Sequence, residues 1–444
     1  MGNLEKIHDN AAGIDIGSEK IFVATDKQPV KSYRTFTNTL QLCVKDLLLQ
    51  NIQTVAMEAT GVYWITIYDM LEKAGMDVWL VNPADSKNLP GRKTDVQDCQ
   101  WLQQLHNYGL LRRSFIPNES FRKLRTYNRL REDHIQMASS HVQHMQKALI
   151  SMNIRLPEVL SQVHGKSGML MIESILNGNT DAKQLLSLCD ARLRKNKGGE
   201  ILQALQGFYS EEHLFELKQA YDAYHFYQIQ IQDCDKKMEK LLEKMSSEME
   251  IHDEDILHKA NRETKRVRHH SPQIDKLHYK LVSITDGRDA TTLPGFTDYN
   301  YLRVLSEIGN DISRWSTEKH FTSWLGLAPG QNRSGKINKR AKKRSSTKAG
   351  QIFKQAAQTL LISKHIALGV FAKRLKSKKG PAIAIKATAR KLAVMYYNLM
   401  KYGSDYVEQG TKKYEEKYRN QLIKFMQKKA TELNFQLIEL QCKE

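Results

Sequence analysis

The run GRKTDVQDCQWLQQL, residues 91–105, holds Asp95 and Asp98 three positions apart, ahead of an amphipathic pattern. With Thr94 as the cap of a helix, the two carboxylates stack on one face about a turn apart. Like charges that close repel unless a cation or a basic group lies between them. Two more acids close apolar runs, Asp15 in GIDIG and Glu58 in MEATG. Asp-x-Gly after a strand is common in turns and phosphate loops, and Asp-x-x-Asp on a helix is usually a solvated face. Glu58 is the sharper signal, because an acid ending a buried strand needs a partner. If the two strands are neighbours, Asp15 and Glu58 emerge at one edge, and the helix of Asp95 and Asp98 can pack across it. Four such carboxylates make an all-oxygen site for hard cations such as Mg²⁺. Two ions there would activate an attacking oxygen and stabilise a leaving one in phosphodiester cleavage.

A second chemical signal is GLAPGQNRSGKINKRAKKRSSTKAG. Ser334 stands between Arg333 and Gly335, where backbone can approach a phosphate closely. Arg333, Lys336, Lys339, Arg340, Lys342, Lys343, Arg344 and Lys348 supply cations that would hold nucleic-acid phosphates. A serine there could attack DNA and hold it as a phosphoserine. On chemistry alone, a serine that only hydrogen-bonds a phosphate is the better reading, and Ser345 and Ser346 are equal rivals.

The elements that must position these groups follow a legible order. AAGIDIG, KIFVATD and VKSYRTF read as three strands, and TNTLQLCVKDLLLQ as a helix capped by Thr37 or Asn38. IQTVAMEA is a buried strand, VYWITIYDMLEKAG a helix stopped by Gly75, and DVWLV another strand. On the following helix Val96, Trp101, Leu102 and Leu105 mark the dry side, and Gln97, Gln100, Gln103 and Gln104 the wet one. This order predicts an α/β, RNase H-like domain over residues 1–117. Residues 118–290 read as a helical, coiled-coil and linker region. Leu217, Tyr224, Ile231, Met238 and Met245 recur every seven residues, interrupted by Gln228 and Asp235, which predicts a long helix used partly as a dimer contact. Residues 246–290 are polar and read as a linker or peripheral arm. Residues 291–410 form a basic, mainly helical domain, and 411–444 a helical tail.

The net charge is +19, and its distribution is informative. Lys319 to Ser404 contains 20 Lys or Arg and no Asp or Glu, leaving the rest of the chain at a net of −1. A surface purged of carboxylates is a phosphate-binding one, and apolar periodicity within the block argues against a disordered tail. The five cysteines are scattered with no CxxC pair, which argues against a disulfide framework and a zinc site. With no signal-peptide pattern and no apolar run of membrane-spanning length, the expectation is a cytoplasmic protein.

Together these residues resemble the DEDD transposases of the bacterial insertion-sequence family called IS-one-ten. The resemblance is carried by GIDIG, MEATGVYW and VNPADSKNLPGRKTDVQDCQWLQQLHNYGLL, then by LPGF…LSEIG, FTSWLGLAPGQNRSGK and TKAGQIFKQAAQTL…KKGPAIAIKATARKLAVMYYNLM. It implies a RuvC-like, RNase H-fold domain, a coiled-coil connection and a transposase domain with a nucleophilic serine. The family tetrad falls on Asp15, Glu58, Asp95 and Asp98, and its serine on Ser334. The family often shows Ser-Gly-Gly-Lys where a single glycine here separates Ser334 from Lys336, so Ser345 and Ser346 stay in play. The resemblance further implies double-stranded DNA substrates (element ends and target), an element-encoded guide RNA, and homodimers or homotetramers whose subunits complete one site. Its implied location is the bacterial nucleoid. The leading expectation is a Mg²⁺-dependent recombinase with two ions per site and a covalent phosphoserine intermediate. The alternatives are a RuvC-like nuclease that uses water, and a non-catalytic nucleic-acid-binding protein.

Overall fold

Alternating apolar residues at the start of the chain build a sheet with two different faces. The computed structural model describes residues 5–83, 94–248, 254–261, 270–329, 332–334, 337–339, 345–363, 366–403, 416, 419–420 and 423–436. It divides into two compact units, Met1–Ile116 and Pro117–Glu444. In the first, β1 (Ala11–Ile16), β2 (Lys20–Thr25), β3 (Lys31–Arg34), α1 (Thr37–Leu49), β4 (Thr54–Glu58), α2 (Trp64–Lys73), β5 (Asp77–Val81) and α3 (Asp95–Asn107) follow in order. The sheet runs β3-β2-β1-β4-β5, with β1, β4 and β5 parallel and β2 and β3 antiparallel to their neighbours.

Strand side chains alternate between faces. Ala12, Ile14, Ile16, Val55, Met57, Val78 and Leu80 turn to one face, where Leu40, Cys43, Val44 and Leu47 of α1 and Ile67, Tyr68 and Leu71 of α2 close the main core. The same alternation sends Gly13, Asp15, Ala56, Glu58 and Val81 to the other face. There Leu102 packs on Ala56, Val81 and Leu111. Gly75, at φ +84°, follows the end of α2. The first residue of α1 is Thr37 itself, and its cap position, Phe36, offers no side-chain bond.

On α3 two residues, Val96 and Gln103, depart from the expected dry and wet sides. Val96 is exposed, whereas Gln103, His106 and Asn107 are buried. The buried amides share a polar partner just past β2, described below, which a hydropathy pattern does not reveal.

The second unit begins with two long helices, α4 (Glu119–Ser151) and, after the short α5 (Leu156–Val159), α6 (Lys166–Leu176), α7 (Ala182–Ser187) and α8 (Ala191–Ala204), the returning α9 (Glu211–Ser247). The seven-residue seam is used within the chain: Leu217, Ile231, Met238, Leu242 and Met245 are buried, with α9 packed on α4. These seam residues are therefore covered within the chain itself. Asp235 does not interrupt the seam but completes it, accepting a 2.6 Å bond from Arg131 Nε, with both residues buried. Gln273 N donates to the other Asp235 oxygen at 3.0 Å, and Arg131 Nη1 donates to Tyr299 OH at 3.0 Å. Arg131→Met alone should therefore cost about 3–5 kcal/mol, because it strands a buried carboxylate. Adding Asp235→Leu should recover part of this, short of the orphaned Gln273 N–H. Chemical denaturation of the two variants is the measurement; equal losses would show that the stranded charge is not the cause.

The expected polar arm is also partly core. After α10 (Glu254–Ala260), all eight residues of α11 (Leu277–Ile284) but Tyr279 are buried. Lys280, one source of the polar appearance, is paired with Glu243 at 3.1 Å and Glu239 at 3.5 Å. Then come α12 (Asp298–Ile308), α13 (Glu318–Trp324), the paired β6 (Asn332–Ser334) and β7 (Ile337–Lys339), α14 (Lys348–Leu360), α15 (Ala367–Lys379) and α16 (Pro381–Tyr402). Their core is aromatic: Phe353 lies 5.6 Å from Tyr396 and Phe321 5.9 Å from Tyr397, ring to ring, all four buried. Of the expected tail, residues 423–432 are helical. No helix among the described residues is long and apolar enough to cross a membrane.

Candidate active site

Strand parity and register place the first two carboxylates. The last β1–β4 pair is Ile14 with Met57, so Asp15 and Glu58 stand level, one residue beyond it, on neighbouring parallel strands. Both lie on the face that α3 covers. The helix starts as the sequence predicts: Thr94 Oγ1 accepts from Gln97 N at 3.3 Å, leaving Asp95 and Asp98 in the first turn. Acids there also suit the positive end of the helix dipole.

The four carboxylates share one electrostatic field. Burial first, then the charges of Asp95, Glu58 and Asp98, push the Asp15 carboxyl up to about 6, against a backbone hydrogen bond at Ile16. Asp15, Glu58 and Asp98 are half-buried and Asp95 is exposed. Among the described residues, no three or more His, Cys, Asp or Glu stand grouped closely enough to hold a metal ion. The donor set still fits a hard cation. All four groups are carboxylates, the oxygen donors a hard cation prefers, and the charges of the other three bear on Asp15.

The approach of α3 to the sheet has its own signal. A Cβ on Gly13 would stand 2.4 Å from both Cys99 O and Gln103 N, so only glycine permits this contact. Asp26, just past β2, accepts from Gln103 Nε2 at 2.8 Å, Asn107 Nδ2 at 2.9 Å and Lys6 Nζ at 2.8 Å. Burial pulls Asp26 upward, but these bonds prevail and hold its carboxyl below the usual range. On β4, Thr54 Oγ1 donates to Asp77 O at 2.9 Å and lies 2.8 Å from His106 Nε2. The one hydroxyl proton is committed, so Nε2 carries the imidazole proton. Burial, then His8, lowers the His106 pKa to about 4, keeping the ring neutral. Sequence reasoning missed Gly13, Asp26, Gln103, Asn107 and His106.

The serine candidates belong to the second unit. Ser334 ends β6 and pairs with Ile337 of β7, Arg333 pairs with Asn338, and Asn332 with Lys339. A short hairpin therefore stands where the sequence predicts a loop. Lys336, Arg340, Lys342, Lys343 and Arg344 lie outside the described residues. Lys348 is exposed at the first position of α14. Ser345 is exposed and Ser346 half-buried, and their backbone lies against Gly326: a Cβ there (φ +72°) would stand 2.7 Å from Ser345 O. Thr347 Oγ1 accepts from Gly350 N at 3.1 Å and caps α14.

Comparison with known proteins bears on both units. A family model for DEDD transposases of the IS110 type, described as "Transposase", matches residues 12–154. A second, described as "Transposase IS116/IS110/IS902 family", matches residues 288–368. A search of curated proteins returns no match. The first match spans Asp15, Glu58, Asp95 and Asp98, and the second spans Ser334 and its rivals. The chain belongs to the IS110 family of transposases and is a DNA transposase enzyme.

Proposed function

We propose that this transposase cuts and exchanges DNA strands of an insertion sequence and its target with an RNase H-like, RuvC-type carboxylate tetrad and a nucleophilic serine. The observation that carries the reading is that Asp95, Glu58 and Asp98 lie near enough to Asp15 for their charges to add to burial in raising its carboxyl. The mixed sheet order β3-β2-β1-β4-β5, with an acid at the end of β1 and another at the end of β4, supports the RNase H-like assignment.

Asp15, Glu58, Asp95 and Asp98 would hold divalent cations, for which Mg²⁺ is the proposal, with two per site. Such ions, when bound, supply Lewis-acid stabilisation of charge at a phosphate. Ser334 is the proposed nucleophile. Its oxygen forms a new ester bond to phosphorus as the bridging O–P bond breaks, and the departing DNA oxygen takes up a proton while the serine gives one up. Ser345 and Ser346 fit this role less well, since their segment packs on Gly326 and leads into the Thr347 cap. The basic residues around the hairpin hold DNA or the guide RNA. Homodimers or homotetramers in the bacterial cytoplasm, on the nucleoid, complete the proposal.

Incubating the protein with element-end DNA, with and without Mg²⁺, tests the reading. Cleavage that requires Mg²⁺ and leaves DNA bound covalently to protein is expected. Mg²⁺-dependent cleavage that never leaves an adduct would instead favour a nuclease using water. Indifference to Mg²⁺ would remove the enzyme site altogether. The grip of the basic block is tested separately: replacing Lys339, Arg340, Lys342, Lys343 and Arg344 with Gln should flatten the log–log salt dependence of duplex affinity by up to about 0.9 per lost phosphate contact. An unchanged slope would mean that the block touches something other than nucleic acid.

A further inference from the structure

The helix that carries Asp95 and Asp98 has little apolar surface with which to grip the sheet. Cys99 and Leu102 are its fully buried apolar residues on that face, with Leu105 only partly buried. An interface of this kind does not by itself fix a helix in register or tilt. Directional contacts do so here, and they lie along the C-terminal half of α3. Gln103 and Asn107, 4% and 2% exposed, both donate their amides to Asp26. Asn107 O accepts from Ile7 N at 2.8 Å and His8 N at 3.1 Å. Gly13 removes the Cβ that would lift the helix off β1 at Cys99 and Gln103. At 1.5 Å rise per residue, Gln103 is about 7.5 Å along the axis from Asp98. A slip at the clamp is thus delivered to the carboxylates within the same rigid helix.

We infer that Asp26, acting through Gln103 and Asn107, is a positioning residue: it sets the register and tilt of α3 that bring Asp95 and Asp98 to Asp15 and Glu58. This inference rests on the metal-site reading above. Catalytic carboxylates tolerate displacements of only about half an ångström, so a device of this kind acts on ion binding before it acts on folding.

The test uses the full-length protein and the thermal shift induced by Mg²⁺ or Mn²⁺, alongside metal-free melting and Mg²⁺-dependent cleavage. Asp26→Ala and Gln103→Met should raise the ion concentration for the half-maximal shift by about 10–100-fold, the usual scale for groups supporting metal ligands. Cleavage should recover at high ion concentration. Asp26→Asn keeps an acceptor for Gln103 and should fall between these and wild type. Asp46→Ala is the control, since Asp46 bonds Tyr33 (2.7 Å) and Lys31 (3.2 Å) on the same unit without touching α3. It should lower metal-free melting without moving the ion midpoint. If Asp26→Ala does not fold, Gln103→Met carries the test alone. Lower melting with a wild-type ion midpoint in Gln103→Met would overturn the inference and leave the metal site standing. No ion-induced shift in the wild type would overturn both.

Discussion

Asp15→Asn, Glu58→Gln, Asp95→Asn and Asp98→Asn should each abolish strand cleavage while the protein stays folded. Each amide keeps the shape of its side chain but removes an anionic oxygen from the proposed ligand set. Ion-borne charge stabilisation is worth several kcal/mol, so the loss is on the order of a thousandfold or more. A second effect has the opposite sign. The Asp15 carboxyl is pushed up to about 6 by burial and by its three acidic neighbours. A carboxyl with a raised folded-state pKa disfavours the folded state once ionised, so without metal its cost is present at neutral pH and fades as pH falls below about 6. Asp15→Asn should therefore melt higher than wild type at pH 7 in chelator, with a gap that narrows toward pH 5. Full cleavage activity in two of the four variants, with Mg²⁺ present, would sink the metal-site assignment.

Ser334→Ala should keep nucleic-acid binding yet give no covalent adduct and no recombinant product. Removing one hydroxyl costs little in binding, because the neighbouring cations still hold the phosphate, but it removes the atom that forms the ester. Ser334→Cys should retain weak activity at most, since a thiolate attacks but bonds phosphorus less favourably. Ser345→Ala and Ser346→Ala should act nearly as wild type, their backbone being held beside Gly326 whatever the side chain. Gel shift and adduct formation, measured on the same preparations, separate binding from chemistry. Loss of the adduct in Ser345→Ala or Ser346→Ala, with survival in Ser334→Ala, would move the nucleophile into KRSSTK.

The proposed carboxylates can be picked out of the sequence because they break a pattern: acids at the ends of apolar strands stand out where solvated acids do not. The mixed α/β character of the first unit and the Thr94 cap were legible for the same local reason, each being written within a few consecutive residues. What stayed hidden depends on distant partners. Gln103 looked solvated because its acceptor, Asp26, is 77 positions away. Asp235 looked like a fault in the seam because Arg131 is 104 positions away. Lys280 made α11 look peripheral, although Glu239 and Glu243 neutralise it inside the fold. Gly13 did leave a readable trace, since a glycine inside a buried strand marks close approach. The β6–β7 hairpin did not, because three-residue strands are too short to show a period.

The central claim is that DNA is cut by Mg²⁺-dependent attack of Ser334. Its most direct test is to trap wild-type protein on element-end DNA in Mg²⁺, digest the complex, and identify the peptide that carries the nucleotide by mass spectrometry. The account predicts a nucleotide phosphoester on the peptide containing Ser334, absent when Mg²⁺ is chelated. Cleaved DNA without any nucleotide-bearing peptide, its new end carrying oxygen from labelled water, would contradict it.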